Sequence, residues 1–228
     1  MSYFWVLHTI MIKTVIFDMD GVIVDTEPLH YIAYHKHFDH LAINVPHELY
    51  ATFTGLSTKN TYQRLIENFG ITHSVEDLIQ AKRDFFNDLF DTKEDLELLP
   101  GVFNLIKDLH ANGIQLVLAS SASKVTIKRV FDRFGLHQYF THTVSGEDFP
   151  QSKPHPAIFL RAAELSGTPV TECIVIEDSA NGIKASKAAG IYCVAYVSAN
   201  TAPQNLSEAD MVINHFDELN AEKVKQLN

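Results

Sequence analysis

Two acidic pairs stand where apolar runs end. Asp18-Met19-Asp20-Gly21 follows TVIF, and Glu177-Asp178 closes and follows the run CIVIE. In extended chain, residues i and i+2 share a face, about 6.6 Å apart. Carboxylates so placed repel one another unless a cation or a shared proton intervenes. Asp and Gly are also common turn residues, so the first pair alone fits a plain acidic turn equally well. Two such pairs at one sheet edge call for a metal, and an all-oxygen donor set points to Mg²⁺. No Cys/His cluster with zinc spacing occurs in the sequence. Ser120 and Ser121 end a further run, IQLVLAS, where hydroxyls and backbone N–H groups can hold phosphate oxygens. Lys153 lies in Ser152-Lys153-Pro154-His155-Pro156, a proline-stiffened loop. Singly, the serines fit a helix cap and the lysine a solvated loop charge. Together, the hard cation, carboxylates, hydroxyls and one lysine meet the needs of phosphoryl transfer, which are positioning and charge neutralisation.

These groups need a scaffold that brings distant segments to one edge. Short β-branched runs recur at residues 14–19, 114–120, 173–177 and 191–197. Helical patterns separate them at 101–111, 123–134, 156–166 and 180–189, the last ending at Gly190 as a C-cap. The alternation predicts an α/β fold with a parallel sheet and helices on both faces. Ligands then bind beyond the carboxyl ends of the strands. Between residues 29 and 98 the alternation stops. Only helical periodicity is found, with breaks near 44–46, 55, 70 and 91–95, which predicts a four-helix insert after the first strand.

Composition sets further bounds. The 228 residues suffice for one large domain or a domain carrying a smaller insert. Eighteen Lys+Arg against 28 Asp+Glu leave a net charge of −10, which argues against a general nucleic-acid binder. Residues 1–10 are apolar but too short to span a bilayer and lack a basic start, so they read as an appendage without assigned function. Two cysteines, Cys173 and Cys193, exclude a disulfide framework and fit a reducing, cytoplasmic setting.

The string Asp18-x-Asp20-Gly21-Val22-x-Val24-Asp25-Thr26-Glu27, with Ser120, Lys153-Pro154 and Glu177-Asp178-Ser179, resembles the haloacid dehalogenase superfamily. More narrowly, it is similar to the β-phosphoglucomutase-like and sugar-phosphate phosphatase subfamily. The likeness runs from Met11 onward and implies a Rossmann-like core at 11–28 and 99–228 with a helical cap domain at 29–98. It implies Asp18 as nucleophile forming an aspartyl-phosphate, and Asp20 as general acid/base. Mg²⁺ would be held by Asp18, the carbonyl of Asp20, Asp178 and, directly or through water, Glu177. Ser120, Ser121 and Lys153 would bind the transferring phosphoryl group.

The same likeness makes the insert a lid that expels water, with hinges near 25–28 and 97–101. His30 matches a position facing the acid/base, and Tyr34 lies one turn later on that helical face. Gly55, Ser57, Thr58 and Lys59 correspond to the substrate-specificity loop. The mutases carry an arginine directly after the Gly-x-Ser of this loop, where this chain has Thr58. Losing that guanidinium weakens the grip on a second phosphate, which favours hydrolysis over the mutase alternative. A phospho-acceptor signalling module would be shorter and place its acceptor on a middle strand, and an idle binding protein would not need the intact acidic set. The resemblance implies a small phosphorylated sugar or sugar alcohol as substrate and a monomer.

Overall fold

The computed structural model describes residues 11–53, 56–197 and 204–227. Six strands form one sheet: β1 (Thr14–Phe17), β2 (Gln115–Ser120), β3 (His142–Ser145), β4 (Cys173–Glu177), β5 (Tyr192–Tyr196) and β6 (Met211–Ile213). Their order is β3-β2-β1-β4-β5-β6, and every neighbouring pair is parallel. The parallel α/β sheet expected from the alternating runs, and the Rossmann-like core implied by the family likeness, are what form. Five helices of this frame are α5 (Val102–Ala111), α6 (Lys124–Phe134), α7 (Ala157–Ser166), α8 (Ala180–Ala188) and α9 (Ala221–Lys225), numbered after the four described below.

Alternate residues of the strands feed two cores. Val15, Phe17, Leu116, Leu118, Ile174 and Ile176 pack on one face, while Ile16, Val117, Ala119 and Val175 pack on the other. Both faces being covered is why the central strands read as unbroken apolar runs rather than alternating ones. The two strands without such runs, β3 and β6, are the sheet's edges and are only partly buried. β1 ends at Phe17, two residues before its apolar run does, because Asp18 already turns into the loop beyond the sheet. After α8 the cap residue is Ala189, and Gly190, one position later, takes the positive φ of 72°.

Among the described residues, four helices lie between β1 and α5: α1 (Glu27–His40), the single-turn α2 (His47–Ala51), α3 (Thr58–Phe69) and α4 (Val75–Thr92). Tyr34, Phe38, Phe53, Tyr62, Leu65 and Leu78 give them a core of their own. Leu29, Ala33, Phe86 and Phe90 instead join the large core of the sheet. The segments that enter and leave this insert run side by side, with an antiparallel bridge between Val24 and Leu98 and the Leu99 N–H donating to the Ile23 carbonyl at 2.9 Å.

Candidate active site

β1 sits between β2 and β4, so the residues leaving these three strands meet at one edge. Phe17 pairs in register with Leu118 and with Ile176, which sets Asp18 level with Ala119 and Glu177. Lys153 enters this edge from the loop before α7 and is buried. Its Nζ donates to Asp18 Oδ1 at 2.5 Å, Glu177 Oε1 at 2.7 Å and the Ala119 carbonyl at 3.3 Å. Those contacts use all three ammonium protons. Burial opposes the charge of Lys153, but Asp18 and Glu177 outweigh it and hold the amine protonated. Lys153 thus offsets the repulsion between Asp18 and Glu177, and its longest contact, to the Ala119 carbonyl, is the one a phosphate oxygen would replace.

Glu177 is held from both sides. Its Oε2 accepts from the Ser179 N–H at 2.7 Å and the Ser179 hydroxyl at 2.9 Å, at the start of α8. A Cβ on Gly182 would stand 1.8 Å from Glu177 Oε1, so only glycine leaves room for the carboxylate there. Glu177, expected as a metal ligand directly or through water, has Oε1 on Lys153 and Oε2 on Ser179, the residue that caps α8. Asp178 leans over the first loop instead. Gly21 has a φ of 77°, and a Cβ on it would lie 2.0 Å from Asp178 Oδ2, so glycine serves both the turn and the approach.

Ser120 is buried at the end of β2, where its Oγ accepts the Ala122 N–H at 3.0 Å, while Ser121 is exposed. Neither serine caps α6; that is Ser123, whose Oγ accepts the Thr126 N–H at 3.1 Å.

The insert supplies the other half. Thr26 stands at the N-cap of α1 without capping it, because its hydroxyl donates to Asp20 Oδ1. His30 stacks on Phe86, with ring centroids 4.3 Å apart, and its Nδ1 lies 2.6 Å from Lys82 Nζ. Lys82 is only 3% exposed and sits 4.6 Å over the Tyr34 ring. Burial lowers Lys82 to about 8, although the nearby carboxylates of Asp20 and Glu27 pull the other way. Burial and then Lys82 depress His30, keeping it neutral. Glu27 keeps an exposed face at the start of α1, yet loss of solvent on its cleft side, reinforced by Asp20, raises it to about 7. The Tyr34 hydroxyl lies beside those of Thr58 and Thr61. Lys59 is exposed on the first turn of α3, Ser57 caps that helix, and Gly55 lies outside the described residues.

Residues 15–196 match the family described as haloacid dehalogenase-like hydrolases. The chain belongs to that family. A probable pseudouridine-5'-phosphatase of Drosophila melanogaster is 31% identical over 205 residues, covering 87% of each chain. The phosphorylated carbohydrates phosphatase of Thermotoga maritima is 31% identical over 183 residues, spanning 78% of this chain and 82% of that one. The crystal structure of CbbY from Rhodobacter sphaeroides in complex with phosphate superposes with a TM-score of 0.86 at 26% identity, covering 95% of this chain and all of that one. Membership makes the chain an enzyme of a hydrolase family with phosphatases among its relatives. Among the described residues, no helix is long and apolar enough to cross a membrane.

The charge balance tests whether this hydrolase could hold a divalent ion. Four carboxylates, Asp18, Asp20, Glu177 and Asp178, face two ammonium groups, Lys153 and, on the Asp20 side, Lys82. Burial pushes Asp18 up to about 7, with Glu177 adding to the rise and Lys153 opposing it. Burial, Glu177 and Asp18 push Asp178 upward too. Uncompensated negative charge is thus what the edge carries, and a dication would relieve it. Among the described residues, no three acidic or histidine side chains form a ready cage. That suits Mg²⁺, which is commonly bound by one or two carboxylates while keeping waters and substrate oxygens. Asp18, the Asp20 carbonyl, Asp178 and, directly or through water, Glu177 are the oxygens that would hold such an ion.

Residue type and spacing assign no role to Lys82, Thr26 or Glu27. Lys82 had a readable signal: Leu78, Lys82, Phe86 and Phe90 follow one another at i+4, so a lysine stands in the buried stripe of α4. Thr26 and Glu27 lie inside the Asp18–Glu27 string, but nothing in their spacing tells a helix cap from a partner of Asp20.

Proposed function

We propose that this hydrolase is a Mg²⁺-dependent phosphatase acting on small phosphorylated sugars or sugar alcohols through an aspartyl-phosphate on Asp18. The observation that carries the reading is the Asp18–Lys153–Glu177 cluster at the tip of β1, with Asp20 beside it under the His30–Lys82 pair. Bound Mg²⁺ supplies charge neutralisation for the phosphoryl oxygens.

Lys153 fixes one oxygen of Asp18, and the carboxylate attacks phosphorus. The bond to the leaving oxygen breaks as Asp20 delivers its proton to that oxygen. Burial raises Asp20, which suits a carboxyl that must hold a proton near neutral pH. Asp20, now ionised, takes a proton from water, which attacks the phosphoryl group, releases phosphate and restores Asp18. Ser120 and Ser121 donate to the phosphoryl oxygens. The helices of 29–98 act as a cap that closes over these groups and excludes bulk water. The Ser57–Thr58–Lys59 turn faces the substrate's non-reacting part, with Tyr34 behind it in the insert core and His30 held on Lys82.

Hydrolysis is favoured over the mutase because Thr58 occupies the arginine position, and the exposed Lys59 is a point charge rather than a fork. Purified protein with Mg²⁺ is expected to release phosphate from hexose and polyol monophosphates, and Asp18→Asn to abolish release. No turnover of any phosphate monoester would overturn the reading. Isomerisation of β-glucose-1-phosphate without net release would select the mutase.

A further inference from the structure

Helix α4 carries two adjacent cations with different partners. Lys82 turns inward to His30, while the Arg83 guanidinium donates to Glu147 Oε1. Glu147 is itself fixed to the sheet edge. Its Oε2 accepts the Lys124 N–H at the start of α6 at 2.9 Å, and its own N–H donates to Ser145 Oγ at 3.2 Å. The preceding Gly146 rests on Ser121, where a Cβ would stand 3.0 Å from the serine Cα. Arg83 thus joins the insert to the segment that backs the phosphate serines.

The far end of α4 is held differently. From α6, Arg129 binds Asp91, and Arg133 donates to the Phe90 carbonyl at 2.8 Å, to the Lys93 carbonyl and to the Leu96 carbonyl at 3.5 Å, which brings these contacts close to the paired connections Val24–Leu98. Arg83 and Asp91 are eight residues apart, about 12 Å along the helix. A rotation about the connections leaves the contacts of Arg129 and Arg133 near the pivot. The Arg83–Glu147 pair lies out on the lever arm and must break before α4 can lift from the sheet edge.

We propose that the Arg83–Glu147 ion pair is the clasp that seats α4 on the sheet edge and so sets the position of Lys82 and His30 above Asp20. Arg83 and Glu147 are positioning residues; neither touches the reacting atoms. The inference rests on the reading that the insert closes over Asp18. The side chains are 35% and 32% exposed, so the pair has the strength of a surface bridge. That corresponds to roughly a two- to fivefold bias toward the seated state, screened by salt.

The test compares Arg83→Gln, Glu147→Gln and the double variant, with glutamine at 147 keeping an oxygen for the Lys124 N–H. Each single change is expected to lower kcat/KM about two- to fivefold and to flatten its salt dependence, with the double variant no worse than either and Arg83→Lys retaining most of the function. Additive losses, or an unchanged salt response, would overturn the clasp. Hydrogen exchange on substrate-free, metal-free protein gives a readout independent of turnover. Amides of α4 around Arg83 and of residues 146–148 are expected to exchange faster in Arg83→Gln, and equal rates would overturn the clasp. If the wild-type protein turns over no phosphate monoester, the phosphatase reading fails, while the exchange comparison still decides on the clasp.

Discussion

Replacing Lys82 with methionine separates a residue kept for chemistry from one kept for stability. Methionine preserves an unbranched apolar stem and removes the charge. Burial, against the pull of Asp20 and Glu27, brings Lys82 from 10.5 to about 8. At about 1.36 kcal/mol per pH unit, the buried ammonium costs the fold roughly 3 kcal/mol near neutral pH. The sign follows from proton counting. Between pH 8 and 10.5 the unfolded chain holds more protons than the folded one, so the wild type gains stability as pH climbs through that window. Lys82→Met lacks this gain. Urea denaturation at pH 7 is expected to show the variant as stable as the wild type or firmer by up to about 3 kcal/mol, with the difference closing toward pH 10.5. Phosphatase kcat/KM is expected to drop about 10²-fold, since His30 and Asp20 lose the cation between insert and sheet edge. A variant that is clearly less stable, with a pH-independent difference, would show Lys82 to be a structural ion-pair partner and refute the reasoning.

Two further outcomes test other parts of the site. Gly182→Ala puts a methyl group 1.8 Å from Glu177 Oε1, so it should displace the anchor of Lys153, lower stability by about 1–3 kcal/mol and remove most activity; a Tm and turnover like the wild type would contradict the packing. His37 is buried in the insert with its Nδ1 2.6 Å from the Tyr62 hydroxyl, and burial, followed by His40 and His73, lowers it to about 4. A group depressed in the folded state withdraws its stabilisation as pH falls from the unfolded value of 6.5 toward 4, so the wild type should lose on the order of 2 kcal/mol relative to His37→Gln across that window, and parallel urea midpoints would rule this out.

Legibility followed burial. The runs that became β1, β2, β4 and β5 were readable because both faces of the sheet are covered, leaving no polar alternation to blur them. β3 and β6 escaped notice because edge strands need only part of their length buried, and HTVS and MVI carry too little apolar pattern to stand out. In the site, the acids and Lys153 announced themselves by chemistry at strand ends. Lys82 and the Arg83–Glu147 pair did not, because each depends on a partner from another element, and Thr26 did not, because a cap and a partner of Asp20 read alike in sequence. Lys82 and His30 are 52 residues apart, and Arg83 and Glu147 are 64.

The sequence by itself determined which residues could carry chemistry and on which strand ends they would sit, since apolar periodicity and βα alternation are local properties of the chain. The tertiary structure alone decided how those groups share their contacts. It placed all three protons of Lys153 on Asp18, Glu177 and a carbonyl, set Glu177 between Lys153 and Ser179, and brought a lysine of α4 onto His30. The reason is that a hydrogen bond or a buried charge is settled by what lies within a few ångströms, and in a parallel sheet those neighbours come from strands and helices far apart along the chain.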